Sequence, residues 1–395
     1  MDGSLLPLPR PEAPLADRSR RLLAYVTDPE SEGLLKRLAT PHFAGVEVRR
    51  GGVDTAVREL RQQRSPDVLL VDLSGVALKV GAMERLAEVC DPDVSVMALG
   101  DSNDIALYRG LQSLGVAEYF YKPLPADQLG QALASLARGA NGTGPRARAG
   151  KVVAVAGVRG GAGATTLAIN LAHRLAAEGR RVALVDLDLS GGTVALGLDL
   201  KPAAALREAL EAPERLDDLF LERAVVSAGD RLDVLAAEEG PGHAPEPRPD
   251  AVAALLHRLA RRYHYVVADL PRGALAAPIL ALAGARLLVS DPSLAGARDA
   301  LRLSQALGAA TPTLVALNRA GQPGGLSVQD FAKALGRKPD AQVDWLPKPL
   351  GLAAVQGVVA SAQCRPFRAQ LDALAAQITG RAAPARPGLL ARFRR

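Results

Sequence analysis

The chain reads as an α/β protein built from two doubly wound parallel sheets. Three observations predict this. Short apolar runs rich in valine and leucine alternate with stretches of helical periodicity along most of the chain, the pattern of strand–helix–strand crossovers. The alternation stops once, at 138–150, where glycine, proline and arginine follow one another with no apolar period, and then resumes. And 395 residues is long for a single hydrophobic core, so two domains are the natural division. The expected organisation is a disordered leader at 1–20, a first domain at 21–137, a linker at 138–150, a second domain at 151–380 and a basic tail at 381–395.

Taken in order, 22–26, 46–48, 68–71, 94–99 and 118–121 read as the strands of the first domain, with helices between them. One such helix is expected at 104–114, with Ser102 as its cap. In the second domain the strands are expected at 152–156, 182–185, 232–235, 266–268, 287–289 and 313–317. Helices are expected at 166–178, 251–262 and 297–307, and Ser327 with Asp330 resembles a capping box that opens another. The most hydrophobic window, 274–290, is broken by Pro278 and Arg286. It is too interrupted for a membrane span and suits a buried helix followed by a strand.

Composition narrows the function classes. The formal charge is +6, but much of the arginine excess lies in the ends and the linker, so no specific nucleic-acid partner is expected. Cys90 and Cys364 are far apart and in no metal or redox spacing. They read as reduced thiols of a cytoplasmic protein. The first residues hold no apolar signal core.

The chemistry concentrates in Gly157-Val158-Arg159-Gly160-Gly161-Ala162-Gly163-Ala164-Thr165-Thr166, which follows an apolar strand and opens a helical run. Glycines let such a loop curl so that its N–H groups face phosphate oxygens at a helix N-terminus. Thr165 is placed to offer its hydroxyl to magnesium. The position before it, where a lysine normally meets the β/γ-phosphates, is Ala164. Two later strands end in acids: Asp186 with Asp188, and Asp269. In a doubly wound sheet the ligand crevice lies at these strand ends. Asp269 and Asp186 therefore suit metal or metal-water contacts, and Asp186 and Asp188 a weak or vestigial role in positioning water. Asn318 and Arg319 end a later strand, where Asn318 is placed to pair with a purine base. Each acid also suits a helix cap, and Asn318 a turn.

These residues carry a resemblance. Arg159-Gly160-Gly161-Ala162-Gly163-Ala164-Thr165 resembles the deviant phosphate loop of the ParA/MinD superfamily. With Asp186-Leu187-Asp188, Leu235-Ala236-Ala237-Glu238-Glu239, Leu317-Asn318-Arg319 and Phe331-Ala332-Lys333-Ala334-Leu335-Gly336-Arg337, the chain is similar to the CpaE/TadZ pilus-assembly family over about 20–380. The resemblance implies a cytoplasmic homodimer that holds ATP and Mg2+ between subunits and localises a Tad (Flp-type) pilus secretion machine, often at a cell pole or the membrane periphery. It also implies that Arg159, in the place of the superfamily's signature lysine, crosses to the partner's nucleotide. An alanine at 164 recurs in this closer family. The expectation is a nucleotide-dependent dimer switch with little or no hydrolysis. The alternative is an active ParA/MinD-type ATPase of chromosome partition or septum positioning.

The first domain resembles a response-regulator receiver of flavodoxin-like fold. Asp72 stands where such domains carry their phosphoacceptor and Lys122 where a lysine meets the phosphoryl group. The expected acidic pair is only Thr27-Asp28, and Gly100 replaces the expected hydroxyl residue. A degenerate pocket of Asp28, Asp72 and Lys122 in a docking domain is the expectation. The tail, with Leu389, Leu390 and Phe393 among arginines, offers weak membrane contact or is simply solvated.

Overall fold

A computed structural model describes residues 20–138, 149–203, 205–238, 240, 247–273 and 275–380. Most of the expected leader and linker, and the whole tail, lie outside the described residues. The chain divides into two units, 1–147 and 148–395.

The first unit runs β1 (Arg21–Val26), α1 (Pro29–Ala39), β2 (Gly45–Arg50), α2 (Val53–Leu60), β3 (Val68–Asp72), α3 (Lys79–Ala87), β4 (Ser95–Gly100), α4 (Ile105–Ser113), β5 (Val116–Tyr121) and α5 (Ala126–Ala137). Its five strands pair in parallel, in the order β2-β1-β3-β4-β5, the flavodoxin-like arrangement. Both faces are covered. Leu23, Tyr25, Leu69 and Val71 pack to one side with Leu86, and Leu22, Ala24, Val68 and Leu70 to the other with Leu133. That is why these strands read as continuous apolar runs rather than alternating ones. One expected cap is corrected. Asp104, not Ser102, caps α4 by accepting a 2.8 Å bond from the Ala106 N–H. Ser102 lies too far upstream of the first turn, and its carbonyl accepts from the Tyr119 hydroxyl instead.

The second unit runs β6 (Lys151–Gly157), α6 (Ala164–Ala177), β7 (Val182–Asp186), α7 (Val194–Gly197), α8 (Ala205–Glu211), α9 (Asp218–Ala224), β8 (Val226–Gly229), β9 (Leu232–Leu235), α10 (Pro249–Ala260) and β10 (Tyr265–Leu270). It continues through α11 (Ala276–Leu282), β11 (Ala285–Ser290), α12 (Leu294–Leu307), β12 (Thr313–Ala320), α13 (Val328–Leu335), β13 (Ala341–Asp344), α14 (Pro347–Gln356), α15 (Ala360–Gln363) and α16 (Arg365–Thr379). The sheet order is β13-β12-β11-β6-β10-β7-β9-β8. Seven strands are parallel and the edge strand β8 runs antiparallel to β9. The expected doubly wound parallel sheet is thus present, with one antiparallel strand added at its edge. β8 and β13 have four residues each, too few to show a period.

The order places β6 at the centre, between β10 and β11. The chain builds one side of the sheet, returns to β10 and then crosses to β11. The C-terminal end of β6 thus sits where successive connections part to opposite sides, the place where a crevice opens in such sheets. Ser327 caps α13 as expected, accepting from the Asp330 N–H. Among the described residues no helix is long and apolar enough to cross a membrane.

Candidate functional site

The loop after β6 is held by its backbone. Gly161 and Gly163 adopt φ of +74° and +92°, a region closed to most side chains. Gly163 is also the residue before α6, and no side chain caps that helix. The first-turn N–H groups of Ala164, Thr165 and Thr166 therefore keep donors free of any side-chain acceptor, and the helix dipole adds to them. The Val158 N–H bonds to the Val289 carbonyl on β11 at 2.9 Å, which ties the loop to the neighbouring strand.

The carboxylates gather beside it. Asp269 and Asp186 are direct partners in the β10–β7 ladder. Both are buried, and Asp188 follows two residues later. Asp186 accepts N–H bonds from Asp188 and Val194, each at 3.1 Å, and Asp188 accepts one from Gly191 at 2.9 Å. Burial pushes the Asp186 carboxyl up to about 6, against those backbone bonds. Burial, opposed by a hydrogen bond from Thr165 and reinforced by the charges of Asp186 and Asp188, pushes Asp269 up to about 7. Like charges so placed in low dielectric favour a cation among them. Gly191 and Gly192 fold over the pair: a Cβ on Gly192 would overlap the Asp186 carboxylate, and one on Gly191 would come within 3.2 Å of Asp188. Neither glycine was singled out by sequence reasoning.

Asn318 meets the loop directly. Its side-chain amide donates to the Ala162 carbonyl at 2.8 Å, and its carbonyl accepts from the Arg319 N–H at 3.0 Å. A Cβ on Gly163 would collide with that amide. In this structure, then, Asn318 clamps the loop to the end of β12. Arg319 takes a left-handed φ of +57°, a strained conformation of the kind concentrated at functional sites. Its guanidinium lies 5.9 Å from the centre of the Trp345 ring, within cation–π range. A cavity of about 400 Å3 opens here, bordered by Thr165, Asn318, Arg319, Trp345, Pro347 and Leu350. Its size and apolar lining suit a small planar ligand. Trp345 and Pro347 went unnoticed in the sequence because they lie just past a strand too short to read.

Two arginines flank the loop. Arg159 pairs with Asp299 on α12 at 2.9 Å, so in this chain the proposed crossing residue is held by its own subunit. Arg272, three residues past Asp269, carried no signal in the sequence. A Cβ on Gly160 would meet its guanidinium at 2.9 Å.

The pocket of the first unit is closed upon itself. One Asp72 oxygen accepts from the Thr27 N–H (3.0 Å), the Thr27 hydroxyl (2.5 Å) and Lys122 (2.5 Å), and the other from the Ser74 N–H and hydroxyl. Burial alone would raise the Asp72 carboxyl, but Lys122, Ser74 and Thr27 outweigh it and hold it well below the usual range. Lys122 also pairs with Asp28 at 2.6 Å, and Asp28 caps α1. Lys122 thus brings Asp28 and Asp72 together. A Cβ at Gly100 would lie 2.5 Å from the Tyr119 hydroxyl, so Tyr119 fills the room a hydroxyl side chain would need. Among the described residues no group of three or more His, Cys, Asp or Glu side chains is arranged to hold a metal ion.

Residues 150–302 match the family described as AAA domain. The septum site-determining protein MinD of Bacillus subtilis is 27% identical over 168 residues, 39% of this chain and 58% of its own. A ParA family ATPase from Chlorobium tepidum has a structure that superposes with a TM-score of 0.53 at 22% identity, covering 57% of this chain and 99% of that one. The pilus assembly protein CpaE of Caulobacter crescentus, at 34% identity, matches 30% of this chain and 92% of its own, with a TM-score of 0.28. The chain spans between 25% and 59% of the length of the curated relatives it matches.

Proposed function

We propose that the second unit is of the ParA/MinD kind, a reading its AAA-domain match and its likeness to MinD support, and that this chain is a pilus-assembly and localisation factor of the CpaE/TadZ kind that uses ATP as a dimer staple and hydrolyses it little. One observation carries the reading: the phosphate-binding backbone at Gly161–Gly163 and the Thr165–Asp269 contact are kept, while the lysine position holds Ala164.

The residues fit the group. Gly161 leaves open the space a Cβ would fill, Thr165 and two buried acids form a hard-oxygen donor set, and the Trp345 cavity has room for a base beside Asn318. With no all-protein metal cage among the described residues, magnesium would be shared between Thr165, nucleotide phosphate and water held by Asp186 and Asp269, the usual habit of that ion. A bound magnesium ion supplies charge neutralisation between phosphate oxygens.

Backbone N–H groups at a helix start can hold phosphate without the lysine. The missing lysine would have tightened its contact as charge moved toward the leaving oxygen, so its loss falls on turnover more than on binding. For Arg159 to reach a partner's nucleotide it must leave Asp299. That exposed pair contributes little stability, so the exchange is cheap. The self-paired Asp72 pocket supports a docking role for the first unit, with components of the Tad pilus machinery as its partners.

Light scattering with Mg2+ and ATP, ADP or a non-hydrolysable analogue tests this. The triphosphates should double the mass, and turnover should be about 100-fold below that of Ala164→Lys. A mass indifferent to nucleotide removes the staple. Turnover equal to that of Ala164→Lys favours the partition or septum-type ATPase instead.

A further inference from the structure

We propose that Arg272 supplies, within the same subunit, the phosphate-binding cation that Ala164 removes from the loop. The inference rests on the nucleotide reading above and adds a residue to it. β10 carries Asp269 into the carboxylate group beside Thr165 and, three residues on, the chain brings Arg272 against Gly160 of the loop. There its guanidinium lies so close over Gly160 that a Cβ would stand 2.9 Å from one terminal nitrogen and 3.0 Å from the central carbon.

The two cations at the loop are not equivalent. Arg159 reaches away to Asp299, which is also held by Arg298. Among the described residues no carboxylate pairs with Arg272. An exposed guanidinium without an acid partner, lying against the glycine-rich loop, is available to an anion rather than serving as a structural strut. Its planar fork suits two phosphate oxygens at once. Gly273 follows with φ of +113°, a conformation most side chains avoid. The position also explains how the loop does without its lysine: the charge arrives from the adjacent strand instead of from the first turn of α6. A cation fixed at the strand end steadies the β/γ-phosphates in the ground state and lacks the helix-borne lysine's approach to the leaving oxygen. Binding without efficient turnover is the result.

Calorimetric titration of the full-length protein with Mg-ATP, at two salt concentrations, tests the assignment on Arg272→Ala, Arg272→Lys and the double variant Arg272→Ala/Ala164→Lys. Arg272→Ala should weaken ATP about tenfold or more and flatten the salt dependence of the affinity, with the melting temperature of the free protein unchanged. Arg272→Lys should recover part of the affinity, and the double variant should recover most of it. Equal affinity and equal salt dependence for wild type and Arg272→Ala would overturn the role of Arg272 while leaving the nucleotide reading intact. So would a loss that Ala164→Lys does not repair. A wild-type protein that takes up no ATP overturns both.

Discussion

Asp269 is the residue on which burial and function pull hardest against each other. Its folded-state pKa of about 7 lies above the ordinary carboxylate value, chiefly through burial. Between roughly pH 4 and 7 the folded chain therefore holds a proton that the unfolded chain has lost, and stability falls as pH rises through that window. Asp186, raised to about 6, adds to the same trend. Asp269→Asn should stabilise the ligand-free protein at pH 8 by about 1–3 kcal/mol and flatten its stability between pH 5 and 8. The same change should weaken Mg-ATP, because the amide cannot hold a metal-bound water by charge. Melting curves at the two pH values check the first part, and no gain at pH 8 would show that the site is wetter than its burial implies. In the first unit, Lys122→Met should cost about 3–5 kcal/mol, since it strands the buried Asp72 charge. Acetyl phosphate should leave the intact mass of the wild type unchanged, because all of Asp72's acceptor capacity is in use; a phosphoryl adduct would contradict that.

At the scale of elements, two helix ends converge on one side chain. Arg286, buried on β11, donates to the Leu280 carbonyl in α11 at 2.7 Å and to the Leu307 carbonyl at the end of α12 at 3.0 Å. Helix C-termini carry unsatisfied carbonyls and partial negative charge, so one guanidinium serves both. It needs no carboxylate, and this explains how an arginine can interrupt an apolar window yet remain inside. Arg286→Met should preserve the packing volume but orphan those carbonyls, lowering stability by about 2–4 kcal/mol in denaturant titrations of the second unit. A neutral result would mean that the helix ends find water. The strand β10 has a comparable double duty, since it carries both Asp269 and the approach to Arg272. Substitutions that shift its register against β7 should disturb both residues together.

For the whole molecule, the four apolar clusters fall two to each unit, so each unit has the core it needs to unfold cooperatively. Calorimetric melting should show two transitions, and Mg-ATP should raise only the one belonging to the second unit, by mass action on its folded state. A nucleotide that moved both equally would imply coupling that these separate cores do not explain.

The sequence by itself determined the α/β class, the positions of the long strands, the glycine-rich loop after β6 and the acids that end β7 and β10. These are local signals: apolar runs of sufficient length, glycines at required left-handed positions and charged residues at the ends of buried segments. It also announced the absent lysine, because Ala164 is read directly against its neighbours. Only the tertiary structure decided that Asp186 and Asp269 stand side by side, that Asn318 clamps Ala162, that Arg159 is held by Asp299 and that Arg272 lies over Gly160. Each of those depends on strand order and register between segments far apart in the chain. No local pattern encodes such contacts, since they follow from which strands the packing of the whole sheet makes neighbours.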